Sequence, residues 1–378
     1  MDSPRRVVVA ATAFKGSLSS VEATASIARG IRQVWPGAEL DEAPVADGGD
    51  GSLEALEAAG AVSEFHPLEV RGPLGQPVEA RWAALHTRQA FVESAAACGL
   101  RLLDPAGLDP WRASTHGVGQ LLLAALEAGW PRVVVGLGGS ATLDGGAGLL
   151  QVLGYRLLDA AGRELPPGGG ALFELARIVP PAERPWVGRE ILLAADVRAP
   201  LLGPRGAARL YGPQKGAHPA MVADLEQNLT WLARRLAEDL GWDAGDLPGS
   251  GAAGGLGAGM MAGLGARVVG GADWILEQVG LAARLEGADL VVTGEGRADL
   301  QSLEGKAVQG VAEAAARAGV PLALLAGLLG PGAGRLGARW LRAVEARPGV
   351  VPRSVEAASR LRHAAHDLAL EILSESER

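Results

Sequence analysis

Residues 288–327 read ADLVVTGEGRADLQSLEGKAVQGVAEAAARAGVPLALLAG. The short apolar run into Thr293 has the pattern of a strand buried on both faces, and it leads into a glycine-punctuated segment carrying Glu295, Arg297, Asp299, Gln301, Ser302 and Lys306. A helical pattern and a second apolar strand follow. The same order opens the chain. RVVVAA (6–11) reads as a strand and TAFKGSL as a loop. A helix follows, started by a capping box of Ser19 with Glu22 and carrying Ala23, Ile27, Ile31 and Val34 on one face. WPG stops that helix, AELDEAPV returns to a strand, and ADGGDGS leads into the helix SLEALEAAG. Strands alternating with helices at both ends predict an α/β architecture with mainly parallel sheets.

Between the two ends the register changes, from about Gly72. VEARWAAL and RQAFVES suggest a second domain that begins with a hairpin-like excursion. Further strands are expected at RVVVG (132–136) and EILLAA (190–195), and helices at 116–128, 219–240 and around 259–264. The proline-rich ELPPGGGALFELARIVPPAERPW is expected to be a surface excursion, and the tail SVEAASRLRHAAHDLALEIL an amphipathic helix in which His363 and His366 are structural.

At 378 residues the chain has room for two domains sharing a cleft. It is 48% apolar and 21% charged, and no apolar run nears the ~18 residues of a membrane helix. The apolar part of the N-terminus is shorter than a signal sequence requires, and one cysteine, Cys98, allows no internal disulfide, so a cytoplasmic protein is expected. A net charge of −8 and the lack of basic blocks oppose nucleic acid as a partner. The chain has three lysines, Lys15, Lys215 and Lys306, each beside a glycine, and every other one of its 35 basic residues is arginine. A lysine that persists in such a composition suits a point charge on phosphate.

Ligands of open parallel sheets bind beyond the carboxyl ends of the strands, where the unusual residues of this chain fall. Lys15 follows the first strand and Asp47 and Asp50 the second; Ser140, Thr142 and Asp144 follow RVVVG, Asp196 follows EILLAA, and Glu295, Arg297 and Asp299 follow DLVVT. The loops GLGGSATLDGGAG, with Gly138, Gly139 and Ser140, and GSGAAGGLGAGM, with Gly254 and Gly255, fit backbone cradles for phosphate. The Walker pattern is not completed at Gly305-Lys306, where Ala307 stands in place of Ser or Thr. Gly136, Gly138 and Ala141 match G-x-G-x-x-A, which keeps an NAD-dependent dehydrogenase as an alternative beside a non-catalytic nucleotide-binding regulator. The six histidines are scattered and no G-x-S-x-G elbow occurs, which disfavours metal and serine hydrolases. Carboxylates clustered with lysine and arginine point to phosphoryl transfer from a magnesium nucleotide.

AFKGSLSS, PVADGGDGS, GLGGSATLDGGAG, AADVRAPLLG, YGPQKGA, GAAGGLGAGM and VVTGEGRADLQSLEGKAVQGVA, in this order, resemble the bacterial glycerate kinases of the glycerate 2-kinase type. The resemblance implies ATP- and Mg²⁺-dependent phosphorylation of D-glycerate to 2-phosphoglycerate. It also implies two α/β domains, a flavodoxin-like one formed by both chain ends (1–71 and 286–378) and a second inserted into it (72–285). Leu143 departs from the family, which often has Asn there. On this reading glycerate lies in the interdomain cleft of a monomer or homodimer, its carboxylate on Arg297 or Lys15. Asp47 or Asp196 receives the hydroxyl proton. Lys215 and Lys306, with Gly138, Gly139, Ser140, Gly254 and Gly255, hold ATP, and Asp144, Asp299 or Glu295 reaches magnesium.

Overall fold

A computed structural model describes residues 4–303, 307–344 and 354–376. Its strands are β1 (Arg6–Ala11), β2 (Glu39–Glu42), β3 (Val62–Arg71), β4 (Pro77–Leu85), β5 (Ala90–Glu93), β6 (Arg132–Gly136), β7 (Arg156–Leu158), β8 (Arg177–Val179), β9 (Glu190–Ala194), β10 (Arg267–Val269), β11 (Leu290–Ala298), β12 (Leu322–Leu329) and β13 (Trp340–Ala343). The chain forms two compact α/β units. One is Met1–Asp47 with Glu54–Ala61 and Ala272–Arg378, and the other is Gly48–Leu53 with Val62–Gly271.

In the first unit a five-stranded parallel sheet runs β13-β12-β11-β1-β2. β1 and β11 pair in register from Val7 with Leu290 to Ala11 with Gly294. Alternation sends Val7, Val9, Leu290, Val292, Ala323 and Leu325 to one face, against the helices Ser20–Val34 and Ser354–Ser376. The helix Ala307–Ala318 covers the other face, with Val308 against Ala298, Leu324 and Ala326. The first helix starts with the expected capping box, Ser19 and Glu22 each accepting the other's backbone N–H. The first and last helices approach so closely that a Cβ on Gly30 would lie 2.2 Å from the Arg362 carbonyl oxygen.

The sheet of the second unit is mixed, in the order β10-β9-β6-β5-β4-β3. β3, β4 and β5 form an antiparallel meander, and β5, β6, β9 and β10 are parallel. The meander is the expected excursion. β3 pairs with β4 along its whole length, so the chain has already joined this sheet by Val62, whereas residues 272–285 belong to the first unit.

Two expectations change. The proline-rich stretch is not a surface excursion, because Leu165, Leu172, Leu175, Ile178 and Trp186 drive it into the core of the second unit. β11 does not stop at Thr293, because β12 continues to pair with it to Ala298, so Glu295 and Arg297 are strand residues. Among the described residues no helix is long and apolar enough to cross a membrane.

Candidate active site

In an open parallel sheet the crevice opens where neighbouring strands send their following helices to opposite faces. In the first unit that point lies between β1 and β11. The helix after β1 packs on one face and the helix after β11 on the other. A depression of about 350 Å³ sits there, lined by Thr12, Ala13, Lys15, Asp47, Glu295–Arg297, Asp299, Ala307 and Val308.

The local sequence explains each placement. Phe14 and Leu18 close a tight turn through Phe14 N–H to Leu18 O at 2.9 Å, with Gly16 at φ 84°, and Lys15 stands exposed at its tip. Gly296 leaves room for that turn, since a Cβ there would meet Lys15 N at 3.3 Å. Residues 295 and 297 share one face of β11 by the two-residue period. Glu295 is buried, whereas the Arg297 guanidinium is largely exposed and donates to Asp299 Oδ2 at 2.7 Å. Asp299 is held in turn by its N–H to Ser302 Oγ at 3.2 Å. Lys306 lies outside the described residues.

The remaining expected residues belong to the second unit. Asp144 is fully buried and its carboxylate accepts from Thr115 N–H (2.8 Å), Thr115 Oγ1 (2.9 Å), Gly146 N–H (3.1 Å) and Gly148 N–H (3.2 Å). Burial pushes its pKa up, and these donors oppose the shift. Lys215 is buried too, its ammonium donating to Ser140 Oγ at 2.9 Å and to Thr142 O at 2.6 Å; desolvation lowers its pKa to about 8. Gly254, at φ 73°, lets this loop pass, because a Cβ would fall 1.8 Å from Thr142 O, and a Cβ on Gly255 would lie 2.8 Å from Gly145 Cα. These residues knit the two glycine-rich loops together. Leu143 is fully buried in the same core, so an apolar side chain suits its position.

Asp196, at the exit of β9, accepts the Gly271 N–H at 2.7 Å. Gly138 and Gly139 are packed against Gly49 and Asp50, with prospective Cβ contacts of 2.7 and 2.8 Å. Their missing side chains therefore serve a protein contact, and the next helix begins only at Ala147, which removes the dinucleotide fingerprint. Cys98 is buried, its thiol pushed up to about 12 by desolvation.

Sequence reasoning passed over a further cluster. Glu93 ends β5 buried, accepting from Gly51 and Leu53 N–H, beside an ion pair of Asp50 with Arg101. Its signal is faint, a single acid closing the apolar run AFVE.

Comparison with known proteins matches this chain to the Glycerate kinase family over residues 7–373. A glycerate kinase of Bacillus subtilis (strain 168) is 42% identical over 364 residues, 95% of this chain and 94% of its own length. A glycerate 2-kinase of Escherichia coli (strain K12) is 42% identical over 329 residues, 86% of this chain and 85% of its own. A crystal structure from Salmonella typhimurium LT2, of a protein assigned as glycerate kinase 2, superposes with a TM-score of 0.83 at 38% identity and covers 99% of both chains. By the extent of these matches, from the first strand into the last helix, this chain belongs to the glycerate kinase family.

Proposed function

We propose that this chain is a glycerate kinase that transfers the γ-phosphoryl group of Mg-ATP to the 2-hydroxyl of D-glycerate. The observation that carries the reading is that Lys15, Asp47, Glu295, Arg297 and Asp299 line one depression at the switch point of a parallel sheet. Phosphoryl transfer needs cationic clamps on spreading negative charge and an acceptor for the hydroxyl proton. Lys15 and Arg297 suit the clamps and the glycerate carboxylate, and Asp47 suits the proton acceptor, with Asp196 as the other carboxylate to test.

Magnesium is bound by one or two carboxylates and completes its shell with water and phosphate oxygens. That habit fits Asp299 and Glu295, in a chain whose described residues hold no cluster of three or more ligating side chains. Bound there, the ion would neutralise charge on the phosphates. Asp144, Lys215, Gly254 and Gly255 take the role of shaping the glycine-rich loops, and Lys306 remains a proposed phosphate cation. The strand order β2-β1-β11-β12-β13 supports a flavodoxin-like domain built from both chain ends, with the second α/β domain inserted into it.

The test supplies Mg-ATP with D-glycerate, follows ADP release, and identifies the product by phosphorus NMR. We expect 2-phosphoglycerate. ATP binding with no turnover of D-glycerate would favour the non-catalytic regulator.

A further inference from the structure

The roles above leave unused a carboxylate at the end of β5. Glu93 is 4% exposed, and both of its oxygens accept backbone N–H groups, Oε1 from Gly51 at 3.2 Å and Oε2 from Leu53 at 2.8 Å. Leu53 lies in the first turn of the helix Ser52–Ala58, so Glu93 meets N–H groups that the helix cannot satisfy itself. The loop it grips, Gly48–Leu53, begins directly after Asp47. That loop is also pressed against the exit of β6, where a Cβ on Gly136 would lie 2.2 Å from Gly48 O.

We propose that Glu93 is a positioning residue for phosphoryl transfer: held at the end of β5, it fixes the Gly48–Leu53 loop and, through the chain, the setting of Asp47. The claim rests on the glycerate kinase reading. Desolvation raises the Glu93 pKa to about 7 against the pull of the two N–H donors, and the charged groups facing it are Asp50 and Arg101, paired with each other. A carboxyl group with a raised folded-state pKa contributes stability below its unfolded value, and that contribution is lost as pH rises through about 7. Above that pH the buried charge weighs against the fold, yet it is what leaves both oxygens free to accept.

The test compares the full-length protein with Glu93→Gln, which keeps the volume but turns an amide donor toward one of the two N–H groups, and with Glu93→Asp. At pH 8, kcat for D-glycerate should fall roughly 10- to 100-fold in Glu93→Gln while KM for Mg-ATP stays within about 2-fold, because a small misplacement of the proton acceptor acts on the chemical step. Glu93→Asp should recover part of the loss. Wild-type kcat should decline as pH falls through about 7, and Glu93→Gln should lack that limb. Amide exchange in the peptide spanning 48–53 should quicken in Glu93→Gln, a readout that needs no turnover. Wild-type kcat in Glu93→Gln, a loss confined to KM for Mg-ATP, or unchanged exchange in 48–53 would overturn the proposal. Absence of wild-type turnover on D-glycerate would instead overturn the reaction it rests on, while exchange still reports on the Glu93 anchor.

Discussion

Lys15 and Lys215 are the same residue type beside the same neighbour, yet their surroundings assign them different work. Lys15 stands exposed on a tight turn at the depression, while Lys215 is buried and engaged with Ser140 and Thr142. Lys15→Ala should leave chemical-denaturation stability within about 0.5 kcal/mol of wild type, as for a surface side chain, while kcat/KM for D-glycerate falls about 100-fold. Arg297→Ala should behave alike, because its exposed pair with Asp299 contributes at most about 1 kcal/mol. Unchanged kinetics in both variants would remove the depression from the reaction. The sequence marked both lysines through their rarity, since residue type and loop position are written in it. Which of them faces water depends on how the loops around 142 and 254 cross, a matter of tertiary packing. Glu93 escaped notice for the same reason: an acid closing an apolar strand looks like an ordinary exit to solvent until the backbone of a distant loop is found against it.

Two glycines with the same left-handed backbone separate local strain from packing. Gly254 and Gly287 both have φ +73°, but a Cβ on Gly254 would meet Thr142 O at 1.8 Å, whereas Gly287 faces open space. Gly287→Ala should cost about 1 kcal/mol through backbone strain alone. Gly254→Ala should cost above about 4 kcal/mol, since backbone must move, and equal urea midpoints for the two would refute this account. The elements most legible beforehand were those with a strong period or cap, such as the helix after Ser19 and the strands at 6–11 and 132–136. β3 was not foreseen because its side chains alternate only loosely and Pro67 interrupts it, which an edge strand tolerates. The stretch 164–186 misled in the opposite direction. Its prolines and glycines read as loop, but Gly169 and Gly170 open a short 3-10 helix and the leucines between the breakers are core.

Across the whole chain, the resemblance to the glycerate kinases implied that the two ends share a domain, and the register of Val7 with Leu290 joins in one sheet residues 283 positions apart. A ligand that binds the finished sheet and not the unfolded chain stabilises it by mass action. A magnesium nucleotide held at the switch point, present at about 100 times its Kd, should add about 2.7 kcal/mol to the transition that dismantles the site. For a unit of this size that corresponds to a rise of roughly 5–10 °C in the melting temperature. The comparison is made with Mg-ATP, ATP in EDTA, and NADH, each with and without D-glycerate. Mg-ATP should give the full rise and chelation should abolish most of it, because the free triphosphate would then meet the carboxylates of Glu295 and Asp299 without a cation between them. A rise with NADH and none with Mg-ATP would contradict the assignment of the depression to phosphoryl transfer, whatever the resemblance of the chain to its relatives.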